Sequence, residues 1–157
     1  MNYFKYLILI VCLTGCSKTE PIVQPPYNSP LTLSQLMNWV LDPAADGIWD
    51  AVGWVSTAKG ELAIAPKNEA QWDDLRNHAA TLMEASNLLM LDKYAKDKND
   101  WMLYANRLSK SAEATLEAIN KRDIDAIFLT GSEIDTACEA CHIKYGNFTE
   151  KSIAQNK

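Results

Sequence analysis

The chain has 157 residues, 48% of them apolar, which is enough for the core of one ordinary domain and excludes wholesale disorder. Against 20 Asp and Glu stand 15 Lys and Arg, a net charge of −5, and no basic stripe of the kind a nucleic-acid binder carries. Gly 6 and Pro 6 are too few for a turn-rich all-β chain, and two histidines exclude most multi-histidine metal sites.

The first element in chain order is a leader. Met1–Lys5 carries positive charge, Tyr6–Leu13 is an apolar run too short for a permanent membrane span, and Leu13-Thr14-Gly15-Cys16 places small residues before a cysteine. This pattern resembles a bacterial lipoprotein signal, which implies cleavage before Cys16 and acylation of that residue. Ser17 in the next position implies sorting to the outer membrane rather than the inner. Residues 16–30 include Pro21, Pro25, Pro26 and Pro30 and predict an extended, lipidated tether. The folded domain is expected at 31–147, with a tail at 148–157.

Thr32 and Gln35 fit a capping box, followed by Leu33, Leu36, Met37, Val40, Ala44, Ile48, Ala51, Val52 and Val55 at helical spacing. Pro43 interrupts this stripe, and the preserved phase favours a kink over a second helix capped by Asp42. Asn68 with Gln71 opens a second helix, whose inner face runs from Trp72 to Met90. A third begins near Asn99 or Asp100 and carries Trp101, Ala105, Leu108, Ala112, Leu116 and Ile119. The fourth begins near Asp123, carries Ile127, Ile134, Cys138, Cys141 and Tyr145, and has Gly131 as a weak point that would kink or split it. No stretch alternates like a half-buried strand. The expected fold is all-α, an antiparallel four-helix bundle, with the five tryptophans filling its interior.

Cys138-Glu139-Ala140-Cys141-His142 is C-x-x-C-H, the attachment signature of c-type haem. On a helix the two thiols lie close enough to bond one porphyrin edge, and the adjacent imidazole can turn beneath the ring to the iron. Attachment outside the cytoplasm agrees with the leader. Zinc, a redox dithiol and a plain disulfide stay open beside it. Cys138, Cys141 and His78 supply only three of four zinc ligands, and a thioredoxin-like dithiol needs a βαβ setting.

The motif stands on the last helix, and no methionine follows His142. Together with C-x-x-C-H-x-x-Y over Cys138–Tyr145, this resembles the class II c-type cytochromes, the cytochrome c prime family, although Gly146 stands where that family usually has Arg. The resemblance implies one covalent haem c, with Cys138 and Cys141 as thioether sites and His142 as the iron's proximal ligand. It also implies that the first helix faces the haem. Met37 is then a candidate for the sixth position, with His78 a second and an empty position a third.

The sequence therefore points to a periplasmic, membrane-anchored electron carrier rather than an enzyme. The alternatives are a five-coordinate protein binding or sensing NO or CO, and a non-haem metal or redox-thiol lipoprotein. The lipid anchor makes the membrane a partner, nucleic acid is not expected, and a homodimer is admissible. Donor and acceptor are not named by the sequence.

Overall fold

The computed structural model describes residues Tyr27–Gly146. The predicted leader, Cys16, most of the tether and the tail lie outside the described residues. The chain divides into two compact units, Met1–Pro30 and Leu31–Lys157. Of the first, Tyr27–Pro30 is described and has no regular secondary structure. The second is mostly helical with one small sheet, and no described helix is long and apolar enough to cross a membrane.

Thr32 caps α1 (Leu33–Leu36) as the sequence predicts. Its hydroxyl accepts from the Gln35 N–H at 3.2 Å, and the Gln35 side chain accepts from the Thr32 N–H at 2.9 Å. The backbone stays helical through a π turn, Met37–Leu41, into α2 (Asp42–Trp49). Pro43 accounts for the π turn. It has no N–H for the carbonyl of Trp39, four residues back, and its ring crowds that oxygen. The turn before it widens, and the Asp42 N–H reaches five residues back to the carbonyl of Met37. The predicted kink is thus a π turn, and the Asp42 side chain does not cap α2.

The extra residue in that turn resets the inward face. Leu36 and Leu41, five apart, are both buried, and Ala44, Ala45 and Ile48 continue the stripe. Val40, expected in the stripe, is only partly buried. Trp39 is rotated out to 63% exposure, against the expectation that it fills the interior.

The helix ends at Trp49 rather than running to Val55. A hairpin follows, β1 (Gly53–Thr57) with β2 (Gly60–Ile64), antiparallel, Trp54 opposite Ala63 and Val55 opposite Leu62. Gly60 takes φ +117, which L side chains rarely adopt, and the Thr57 hydroxyl donates to its carbonyl at 2.7 Å. The sequence reading missed this hairpin because almost all of its residues are exposed, so polarity does not alternate with burial. Trp54, also expected inside, is exposed on β1 and meets Phe128 edge-on at 4.8 Å.

Three long helices complete the fold. Asn68 caps α3 (Glu69–Leu88) by accepting from the Gln71 N–H, and Asp123 caps α5 (Ile124–Tyr145) by accepting from the Ala126 N–H, each at 3.0 Å. Between them lies α4 (Asp100–Lys121), ended by Arg122 in the left-handed region. Gly131 does not split α5, which is continuous over Ile124–Tyr145; it is buried, and its carbonyl accepts from the Trp49 indole N–H at 2.9 Å.

Side-chain pairings give the directions. Glu69 with Arg122 and Met83 with Ser109 set α3 antiparallel to α4. Asp100 with Lys144 joins the start of α4 to the end of α5, and only Arg122 and Asp123 separate their other ends, so these two are antiparallel as well. Leu36, Ile48, Leu75, Leu82, Ile119, Ile127 and Ile134 form the shared core, joined by Trp72 and Trp101, while Trp49 is partly buried.

The register across the π turn is testable by truncation. Leu41→Ala should destabilise the protein by about 2–5 kcal/mol, the range for a buried leucine, and Val40→Ala by clearly less. Equal losses in denaturant midpoint, or a larger one for Val40, would restore the straight-helix register.

Candidate functional site

Cys138, Cys141 and His142 stand at positions i, i+3 and i+4 of α5, so helical periodicity places them on one face. Each is partly buried, and both cysteines are free thiols. All three line a cavity of about 700 Å³, within the size range of pockets that enclose a small molecule or cofactor. The α5 side of its wall includes Ala137 and Ile143. The facing wall comes from the first helical arm through Met37, Leu41 and Ala45. Leu82 and Leu89 close it from α3 and its end, and Trp101, Tyr104 and Leu108 from α4. The lining is thus largely apolar, and Asp42, Asp135 and Glu139 stand at it as exposed carboxylates.

Burial, and then charge at Asp135, Cys141 and Asp42, pushes the Cys138 thiol up to about 11. Burial raises Cys141 as well. Both sulfurs are therefore protonated at neutral pH. Burial thus works against thiolate formation at both sulfurs. Among the described residues, no group of three His, Cys, Asp or Glu side chains is arranged to hold a metal ion. The donor set suits a covalently attached, apolar group with one imidazole ligand better than a zinc ion.

Met37 and His78, the two sixth-position candidates, are separated by the structure. Met37 is in the cavity wall. His78 packs on Gly47, where an added Cβ would come within 2.4 Å of the imidazole, and its Nε2 lies 3.7 Å from an Asp74 carboxylate oxygen. It is not among the residues that line the cavity.

A polar clamp that the sequence did not reveal holds the motif's end of α5. The Tyr145 hydroxyl donates to Asp97, which also accepts from the Asn99 N–H at 2.8 Å and the Trp101 N–H at 3.2 Å, so Asp97 does the capping at the start of α4. Trp101 donates from its indole to the Leu89 carbonyl at 2.6 Å and packs edge-on against Tyr145 at 5.1 Å. Asp97 stands in a loop 48 residues before Tyr145, and only the fold joins them. The adjacent Tyr104 is the second aromatic side chain that α4 contributes to the cavity.

The clamp predicts a pH dependence. The hydrogen bond from Tyr145, foremost, holds the Asp97 carboxyl below its ordinary 3.8, while burial first and then that bond push the Tyr145 phenol up to about 12. A depressed carboxyl stabilises the fold fully above 3.8 and loses that contribution as pH falls through its folded-state value. Asp97→Asn should lower Tm at pH 7, with the deficit narrowing as the pH is taken below 3.8. A deficit unchanged over that range would show that Asp97 does not act through its charge.

Comparison of the chain with protein-family models, curated proteins and solved structures found no match.

Proposed function

We propose that this chain is a monohaem c-type cytochrome of the class II kind. In this reading it is an antiparallel four-helix bundle with one haem c held covalently on α5, anchored at the periplasmic face of a membrane and carrying electrons. The observation that carries the reading is the joining of Cys138, Cys141 and His142 on one helix face to an apolar cavity of about 700 Å³. The motif alone names the chemistry. The cavity adds a place of suitable size for the group, with protonated thiols at its edge.

Each residue then has a role. Cys138 and Cys141 would hold the haem through thioether bonds, and His142 would supply a nitrogen ligand to its iron. Met37, which lines the facing wall, has a soft sulfur that could serve as a second ligand to the iron. Leu41, Leu82 and Leu108 exclude water from the interior of the crevice. The Tyr145–Asp97 clamp fixes the end of α5, and with it the orientation of His142 three residues earlier. Bound there, haem supplies a one-electron couple whose potential is tuned by its axial ligands and its burial. The presence of a thioether side chain on the facing wall favours a closed sixth position, and hence electron transfer, over open-site gas binding. The Leu13-Thr14-Gly15-Cys16 box supports acylation at Cys16, and Ser17 after it supports an outer-membrane location.

The test is spectroscopic. Protein purified from an exporting, haem-attaching host should show c-type absorption bands that survive acid-acetone extraction, and the ferric form should be low-spin. Cys138→Ser or Cys141→Ser should impair covalent attachment. Met37→Ala should turn the ferric form high-spin and open it to carbon monoxide. Wild type that is already high-spin and binds carbon monoxide would move the function to gas binding. Haem lost entirely to the solvent would overturn the reading. Cys16→Ser should release the protein from the membrane fraction, and normal acylation in that variant would refute the anchor.

A further inference from the structure

Charge is unevenly distributed over this protein. The first helical arm and hairpin start, 31–58, hold Asp42, Asp46 and Asp50 and no Lys or Arg. The part of α5 up to the motif, 124–142, holds Asp125, Glu133, Asp135 and Glu139 and again no Lys or Arg. All seven carboxylates are exposed, and none makes an ion pair with Lys or Arg among the described residues. Elsewhere the pattern differs: Asp73 pairs with Arg76, Glu69 with Arg122, Glu113 with Lys110 and Asp100 with Lys144. Negative charge without local compensation is therefore concentrated on the two elements that form facing walls of the cavity.

Asp42, Asp135 and Glu139 stand at the cavity itself, together with Ile143, whose side chain is 77% exposed. An open apolar crevice with a carboxylate margin has the arrangement of a transient protein interface, apolar at its centre and charged at its rim. We infer that the mouth of this cavity is a docking face for a redox partner protein presenting a lysine-rich surface. The purpose of such docking rests on the cytochrome reading above; the charge arrangement does not. Opposite charge on the partner would steer it to the crevice and set its orientation there, chiefly through the rate of association and its sensitivity to salt.

The experiment uses a lysine-rich mitochondrial-type cytochrome c as the partner probe, with the same protein lysine-acetylated as control, since acetylation removes the charge and keeps the fold. Calorimetric titration should detect binding at low salt that weakens by about tenfold or more at 0.15 M, where the screening length is about 8 Å. The acetylated probe should not bind. Combining Asp42→Asn, Asp135→Asn and Glu139→Gln should weaken low-salt binding about tenfold. Combining Glu84→Gln, Glu113→Gln and Glu117→Gln, on α3 and α4, should leave it near wild type. Circular dichroism confirms that both triple variants fold. Equal weakening in the two triples would reduce the effect to net charge and overturn the proposal, as would binding of the acetylated probe or no binding at all. Heat is read independently of haem. Failure of the chain to acquire covalent haem in a haem-attaching host would refute the cytochrome reading, and binding through the crevice carboxylates in that same sample would leave the docking face standing.

Discussion

The cavity depends on the contact between α2 and α5. It is pinned near Gly131, whose carbonyl accepts the Trp49 indole N–H, and the same two elements supply Asp42 and Cys138 to the cavity lining. Because they run antiparallel, the early residues of the first helical arm face the late residues of α5. That is why Met37 and Leu41, near the start of the domain, share a chamber with Cys138, Cys141 and His142, near its end. The π turn sharpens the arrangement. An unbroken α-helix would turn Val40 inward where the widened turn places Leu41. The absence of one backbone N–H at Pro43 thus reaches the composition of the cavity wall.

The thiols show how burial and function are linked here. Burial raises the thiol pKa of both Cys138 and Cys141. The imidazole beside them is carried by the same helix turn, so the three groups move as one unit. The aromatic packing of Trp101 and Tyr145, with the hydroxyl bond to Asp97, ties that unit to the start of α4. Under the proposed haem reading, donors carried on one helix turn and a clamp at the helix end would keep rearrangement small on a change of charge.

Much of this was legible in the sequence because it is local. The caps at Thr32, Asn68 and Asp123 and the helices behind them follow from short-range hydrogen bonding and apolar periodicity. So does the shared face of Cys138, Cys141 and His142. The remainder depends on contacts between distant segments or on burial that polarity does not report. The hairpin was missed because Trp54, Val55, Leu62 and Ile64 are apolar yet exposed, and the stripe of the preceding helix runs into them. Trp39 was placed inside together with the other tryptophans, although it stood outside the predicted apolar stripe, and it is exposed. Gly131 was taken as a break, but a helix packed on both sides tolerates the lower propensity of a single glycine. The bond from Tyr145 to Asp97 gave no signal, since it is made only once α4 and α5 lie side by side; the Asp97 cap is local but was missed because the start of α4 was read from Asn99 or Asp100.

The central claim is that α5 carries a covalently bound haem. Mass spectrometry of the purified, denatured chain, followed by fragmentation of the proteolytic peptide containing Cys138 and Cys141, measures this most directly. The account predicts one added haem mass, retained through denaturation and localised to those two sulfurs. A peptide of unmodified mass with two free thiols, from a host that attaches haem to a control cytochrome in the same preparation, would contradict it.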